Sequence, residues 1–429
     1  MGISKAKWLA AAVACLAAVG GPAMAAGFYA QEQSVEGLGR AYSGEAASTG
    51  ADALWWNPAA IGDIDGRTYY SGNHLVAADI DIDDAGSTIR RPSSATAPVG
   101  GAARSEPFDI SVVPNTAAAM RLNDQFSLGV AITAPFGFGA VSRPDAFTRY
   151  EAVKVRLIDL DFQPTLAWRP VPWLRLGAGA DAEIADTKFS VALPNLSPLD
   201  ADGRANLAAN GWNFGWVAGA QLAPTAALTL GASYRAAIAH TLGGHVTSVG
   251  LLGSLATDNG QSVTNVRFST PWLATLAARW RVAERLTLEA QAQRIGWSDY
   301  GGFAISTVGA TPPAPGVRQR DTTSIAVGFD YAANAALTLR AGIQDDPRAI
   351  RDSTVLPDGD RLIFAAGASW RKSPRTTFDL GAAYVSFRHT AIGSQFSAFA
   401  GTSNATPVSL AGELSSHAVV LSFAVRGAF

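Results

Sequence analysis

Between positions 173 and 185 an apolar side chain falls at every second residue. Leu174, Leu176, Ala178, Ala180, Ala182 and Ile184 alternate with Arg175, Gly177, Gly179, Asp181 and Glu183. Side chains of a strand point to opposite faces in turn, so this stretch has one apolar face and one that carries charge. The same period of two returns at 286–293, 337–344 and 378–384. From Arg67 onward about fourteen such segments can be counted, which makes the chain all-β. The polar faces meet water outside a soluble sandwich, or the apolar faces meet lipid outside a membrane barrel.

The connections separate these two. Short ones fall at Asn123-Asp124-Gln125, Pro170-Val171-Pro172, Ala223-Pro224-Thr225, Ala283-Glu284-Arg285, Ala333-Asn334-Ala335 and Ser373-Pro374-Arg375. Long ones alternate with them near 81–107, 136–150, 190–211, 247–263, 299–319, 345–360 and 390–414. Short turns on one side and long loops on the other predict a membrane β-barrel of about 14 antiparallel strands, an even number. Only 16% of residues are charged, against roughly 25% in soluble domains. Yet no apolar run after the first 25 residues approaches the ~20 needed for a membrane helix. A barrel strand meets lipid only at alternate residues, which reconciles the two. Trp168, Trp173, Trp216, Tyr234, Trp272, Trp280, Trp297, Trp370 and Tyr384 lie near strand ends, where interfacial girdles form, though some of them suit the lumen equally. The net charge of −2 gives no global field for nucleic acid.

Residues 1–25 read as a cleaved export signal. Lys5 and Lys7 supply the positive end, Trp8 to Gly20 the apolar core, and Ala23-Met24-Ala25 the small-residue cleavage site. Cys15 lies within it, so a chain starting at Ala26 has no thiol. At the other end Leu421, Phe423 and Val425 share a face with Phe429. A last strand of this form, ending in Phe, resembles the signal read by the barrel-assembly machinery. The expected location is the bacterial outer membrane, with outer-membrane lipid as the surroundings.

Residues 26–66 differ from all that follows. Gly37-Leu38-Gly39-Arg40-Ala41-Tyr42-Ser43-Gly44-Glu45-Ala46 is too rich in Gly and Ala for a strand and too punctuated for a stable helix. Asn57-Pro58-Ala59-Ala60 closes the stretch, with Pro58 biasing Asn57 away from the α region and Trp55-Trp56 beside it as anchors. This reads as a plug inside a barrel of residues 67–429. The run, with Gly37, Leu38, Gly39, Arg40, Ser43, Gly44, Asn57, Pro58 and Ala59, resembles the hatch of the FadL-type outer-membrane transporters. Ala134-Pro135-Phe136-Gly137-Phe138-Gly139 resembles that family's third strand, whose inward kink opens a gap in the wall. The chemistry suits a kink: Pro135 cannot donate to the ladder and the glycines weaken it. Arg149-Tyr150-Glu151-Ala152, the run from Gly211 to Trp216, Ser233-Tyr234-Arg235, Gly296-Trp297-Ser298 and the run from Leu356 to Arg361 continue the resemblance in order.

The resemblance implies uptake of long-chain fatty acids or other hydrophobic compounds by a monomeric, non-enzymatic barrel without cofactors. Ligand would first sit in an apolar groove between the third and fourth outer loops, 191–209 and 249–259. Leu193, Leu196, Leu199, Leu251, Leu252 and Leu255 make both loops apolar for exposed segments. It would next enter a pocket beside Gly27, Phe28 and Tyr29. It would leave sideways at Pro135, Phe136, Gly137, Phe138 and Gly139. A buried methylene gains about 0.8 kcal/mol, so a dry path spares a long alkyl chain a transit through water. Fatty-acid carriers hold the carboxylate with basic groups. Here strand five offers Asp181, Glu183 and Asp186 to the lumen with Lys188 further out, and Arg318 and Arg320 precede strand ten. Neutral or aromatic hydrocarbons are therefore the alternative cargo, and a general porin the third reading.

Other motifs carry less. Gly177-x-Gly179 sits inside a strand, with no helix after it to bind a dinucleotide. Asp79, Asp81, Asp83 and Asp84 imitate a calcium loop, but Asp84 and Arg90 stand where Gly and Glu are needed. The spacing of His240 and His245 fits no metal motif. There is no G-x-S-x-G, and a lipase would need a triad around His389 or His417. The expectation is no catalytic residue and no metal.

Overall fold

The computed structural model describes residues 28–107, 109–307, 319–350, 353–354 and 356–428. The export signal, Gly27, Arg318 and Phe429 lie outside the described residues. Fourteen antiparallel strands close a barrel. Counting the pieces on either side of an interruption together, they are β1 (Arg67–Asp84), β2 (Asp109–Arg121), β3 (Phe126–Thr133 and Gly137–Val141), β4 (Lys154–Val171) and β5 (Leu174–Leu193). Next come β6 (Gly203–Thr225), β7 (Leu228–Arg235 and Ile238–Val249), β8 (Gly260–Thr270 and Leu273–Ala283), β9 (Leu286–Ile295 and Ala304–Thr307) and β10 (Thr322–Ala332). The last are β11 (Leu337–Asp346), β12 (Arg361–Ser373), β13 (Thr376–Phe387 and Thr390–Ala398) and β14 (Thr406–Ala428). Each pairs with its neighbours, and β1 pairs with β14 from Thr68↔Ala428 to Asp84↔Gly412. Closure removes the sheet edges, as a lipid-exposed sheet requires, except beside the interruption of β3.

The alternation decides which face is which. In β5, Arg175, Asp181 and Glu183 are buried inward. Outward positions elsewhere carry exposed Leu128, Phe162, Leu166, Leu276, Ile325, Leu380 and Leu421. Trp370, Phe378 and Phe423 stack in a row beside the short turns, and Phe126 stacks on Trp168. Of the aromatics that suit girdle or lumen, Trp297 takes the lumen: it is fully buried, on a 3-10 turn that interrupts β9.

Two expected loops are largely strand. Of 190–211 only 194–202 leave the ladder, and of 390–414 only 399–405. Their Asn, Ser and Gly content reads as loop, but these strands continue beyond the bilayer, where an outward face meets water. The outward face of β6 reads Arg204, Asn206, Ala208 and Asn210, then changes to exposed Trp212, Phe214 and Trp216. That change marks the membrane surface. For the same reason Lys188 and Asp186 of β5 point outward, while Ala185 and Thr187 point in; a period of two cannot place Glu183 and Asp186 on one face.

Residues 28–64 lie inside the barrel, nearly all buried. They form one short helix, α1 (Val35–Leu38), capped by the Ser34 side chain, and 3-10 turns at Glu45–Ala47, Ala51–Ala53 and Pro58–Ile61. Gly44 takes φ 73°, which a residue with a Cβ adopts only with strain. Inward glycines of the wall make room for this backbone. A Cβ on Gly177 would collide with Pro58, on Gly231 with Ala46, and on Gly342 with Arg40. Gly39 and Gly367 face each other across the same interface.

Candidate functional site: a broken strand and an aromatic cluster

The wall is discontinuous at β3. It pairs with β2 from Thr116↔Ile132 to Arg121↔Ser127, then stops at Ala134-Pro135-Phe136. Beyond the break, Gly137–Val141 pairs with β4 alone. Among the described residues, the part of β2 before Thr116 pairs only with β1. Pro135 has no N–H to offer a ladder, so the strand turns inward and the wall opens between β2 and β3.

The start of the plug fills this opening from inside. Ala30 N–H donates to the Pro135 carbonyl at 2.8 Å, and Gly137 N–H donates to the Phe28 carbonyl at 2.7 Å. Tyr29 and Phe136 form a single antiparallel bridge. Gln33 Nε2 donates to the Ala134 carbonyl at 3.1 Å. Ala30, Val113 and Ala134 pack together with Leu160 beside them.

Phe28 sits in an aromatic cluster. Its ring centroid lies 4.8 Å from Tyr300, 5.2 Å from Trp297, 5.9 Å from Phe136, 6.2 Å from Phe138, 6.3 Å from Phe268 and 6.4 Å from Phe303. Edge-to-face pairs of this kind hold about 0.5–1.5 kcal/mol each beyond their burial. A second aromatic group continues inward: Tyr29 stacks on Trp55, Trp55 meets Trp56, and Trp56 meets Tyr42. The cation bordering these rings is engaged: Arg235 lies over Trp55 and pairs with Asp181 at 2.5 Å and Asp161 at 3.3 Å. Arg361, over the separate ring of Phe387, is likewise paired, with Asp346 at 2.5 Å. The surroundings favour an apolar, ring-bearing or chain-like guest.

Toward the short-turn end, charge pairs hold the plug to the wall. Arg40 contacts Glu45, Glu289 at 2.9 Å and Asp330 at 3.6 Å. Arg279 also meets Glu289 and Asp330, and Glu36 bridges Arg340 and Arg426. Asn57 adds a polar knot. Its Nδ2 donates to the carbonyls of Ala46 (2.6 Å), Ala220 (3.2 Å) and Ala232 (3.3 Å), while Oδ1 accepts from Ala59 N–H at 2.9 Å. Asn57→Ala should therefore cost about 1–3 kcal/mol of plug stability. Hydrogen exchange should quicken within 28–64 while the barrel's melting temperature stays put; unchanged exchange there would refute it.

The outer loops are tied down as well. Arg149 pairs with Asp202 at 2.8 Å, and Tyr150 donates to the same carboxylate at 2.8 Å. Glu151 accepts from Ser394 at 2.6 Å and from Thr354, and burial pushes its carboxyl above the usual range. Of the predicted groove, Leu251 and Leu255 are buried, Leu193 and Leu196 half-buried, and Leu252 and Leu199 exposed at 50% and 94%. Asn195 joins the two loops, donating to Gly250 O at 3.0 Å and accepting from Leu252 N–H at 2.9 Å. Arg320 is at the rim rather than beside the cluster. It is exposed, donates to the Arg348 carbonyl and lies 3.5 Å from Asp360.

So the fold brings Phe28, Pro135, Phe136, Gly137 and Phe138 together, and seats Gly37, Leu38, Gly39, Arg40, Ser43, Gly44, Asn57, Pro58 and Ala59 against the wall. Gly139 lies just past the break. Phe268, Tyr300 and Phe303 escaped sequence reasoning, since Phe268 lies on a strand that alternates like any other and Tyr300 and Phe303 lie in a stretch that reads as loop. Trp297 was legible as an aromatic of girdle or lumen, and its place in the lumen was not.

The comparisons agree with this architecture. The family described as outer membrane protein transport protein (OMPP1/FadL/TodX) matches residues 16–429. The chain is 27% identical over 416 residues to a long-chain fatty acid transport protein of Escherichia coli O6:H1, covering 88% of this chain and 90% of that one. It is 26% identical over 423 residues to outer membrane protein P1 of Haemophilus influenzae, covering 87% and 88%. The crystal structure of a Pseudomonas aeruginosa FadL homologue superposes with a TM-score of 0.83 at 22% identity, over 94% of this chain and 100% of that chain. The Ralstonia pickettii toluene transporter TbuX does so with 0.65 at 19%, over 92% and 98%. A plugged barrel with a broken third strand, matched along nearly its whole length, belongs to the FadL/TodX family of outer-membrane transport proteins.

Proposed function

We propose that this protein carries long-chain fatty acids or similar hydrophobic molecules across the outer membrane and releases them sideways through the break in β3. The observation that carries the reading is the pairing of Phe28 and Ala30 with Gly137 and Pro135. One short segment covers both the gap and the aromatic cluster, so its displacement would open a dry route from one to the other. The apolar loops around Leu251 and Leu252 would collect the cargo, and the Phe28 cluster would hold it. Relatives named as fatty-acid transporters support a long acyl chain. Aromatic hydrocarbons are the second reading, favoured by the ring-lined cluster whose neighbouring cation is engaged; solved relatives include toluene transporters.

The test separates holding from release. A bulky side chain in the gap, Val113→Trp, should cut uptake of a labelled long-chain fatty acid at least about tenfold in cells lacking their own carrier. Binding of a fluorescent fatty acid to the purified barrel should persist. Competition with oleate and then toluene ranks the two cargoes. Uptake undiminished by the tryptophan would remove the lateral route. A steady, wide conductance without hydrophobic binding would replace the reading with an open porin.

A further inference from the structure

We propose that the lumen binds a divalent first-row transition cation, of the Zn2+ class, through Asp159, Glu183 and His240. These residues lie on β4, β5 and β7. The ladder sets Asp161 beside Glu183 and Glu183 beside Asn213, and Asp159 is the next inward position along β4. One donor atom of each of the three lies within 4.8 Å of the other two. All three residues are buried, at 1%, 0% and 1% exposure.

Their polar atoms are unsatisfied. Among the described residues, neither oxygen of Asp159 and neither oxygen of Glu183 accepts a hydrogen bond, and His240 Nε2 makes none. Nε2 lies 3.0 Å from Glu183 Oε2, but out of line for a hydrogen bond. Among the described residues these five buried polar atoms have no in-line hydrogen bond and meet chiefly one another, whereas buried polar groups are ordinarily satisfied. Charge leads the same way. Asp161 and Asp181 share Arg235, which leaves Asp159 and Glu183 as buried carboxylates with no guanidinium of their own. Two buried carboxyls this close resist ionising together, and a dication would displace the proton they hold and compensate both.

The donor set selects the metal. One imidazole nitrogen with two carboxylates suits Zn2+ and its first-row neighbours, whereas Ca2+ and Mg2+ favour oxygen alone. The imidazole is already oriented, lying parallel to the Phe268 ring at 4.6 Å. Its Nδ1 is 3.0 Å from Asn213 Nδ2, while Asn213 Oδ1 accepts the Thr241 N–H at 3.1 Å. A metal on Nε2 puts the proton on Nδ1, which then needs an acceptor facing it. Asn213 meets that need by turning its amide oxygen. Asn213→Asp supplies an oxygen to both Nδ1–H and Thr241 N–H, so it should tighten binding about tenfold. The site does not depend on the uptake reading.

The experiment uses the full barrel without a histidine tag, stripped with chelator and titrated with Zn2+ by calorimetry and with Co2+ by visible absorption. One saturable equivalent is expected, with a Co2+ spectrum diagnostic of nitrogen and oxygen ligands. The isosteric double variant Asp159→Asn/Glu183→Gln should weaken it about 100-fold while keeping the strand signal and heat-modifiable mobility of a folded barrel. Binding that this variant leaves unchanged would belong to the exposed His389–Glu413 and His417–Asp79 pairs and would overturn the proposal. So would no saturable binding at all. Should the variant fail to fold, anomalous scattering at the zinc edge from crystals of the unaltered protein decides: a peak between Asp159, Glu183 and His240 upholds the site, and its absence there refutes it.

Discussion

Arg40→Ala should free the plug while leaving the barrel folded. Arg40 is 1% exposed and sits among Glu45, Glu289 and Asp330. Without it, the carboxylates of the plug and of the wall face each other with Arg279 and Arg340 as the remaining cations nearby. Removing one member of a buried pair costs about 3–5 kcal/mol, because the other stays charged and uncompensated. That cost falls on a segment with no ladder of its own, whereas the strands around it keep every backbone hydrogen bond. In planar bilayers the variant should show a persistent ionic conductance, and the unaltered protein almost none. Protease added from the short-turn side should cut within 28–64, and the barrel's melting temperature should move little. Arg40→Lys, a point charge without the guanidinium fork, should fall between. A silent, protease-resistant Arg40→Ala barrel would mean that the aromatic and Asn57 contacts hold the plug alone.

Gly342→Val should have a comparable effect for a steric reason. Its Cβ would meet the Arg40 backbone, and a backbone cannot rotate aside as a long side chain can. Overpacking a filled interior costs about 1–3 kcal/mol, and valine is otherwise welcome in a strand, so the plug rather than β11 should yield. Gly243→Ala is the control, since nothing lies within 4 Å of its Cβ position. Conductance and protease sensitivity should rise for Gly342→Val alone. Equal behaviour of the two variants would show that the fit between plug and wall is loose.

These interactions mark what the sequence made legible. Period-two patterning from Leu174 to Ile184 is a local property, and so are turns such as Asn123-Asp124-Gln125; both could be read without knowing which strands meet. Pro135, followed by Gly137 and Gly139, likewise declares a break through its missing N–H. The wall partners of Arg40 and Glu36 could not be read so. Glu289, Asp330, Arg340 and Arg426 lie on four strands and converge only because the barrel closes. The same closure brings Asp159, Glu183 and His240 together from positions that spacing along the chain leaves unrelated. Polar, glycine-containing stretches near 190–211 and 390–414 misled because residues outside the bilayer face water on a strand as they do on a loop.

That extension has a consequence outside the membrane. β6 spans 23 residues, more than twice the 9–11 or so that cross a bilayer, and its outward face turns polar above Trp212. At about 3.3 Å per residue along a strand tilted about 45°, the portion from Gly203 to Gly211 rises on the order of 20 Å clear of the lipid. Leu251 and Leu252 are carried at that height, level with the sugars that coat the cell. A greasy molecule approaching from the environment would thus touch protein before it had to part that coat. The carbohydrate that keeps such compounds out becomes a layer which this stalk of sheet reaches through.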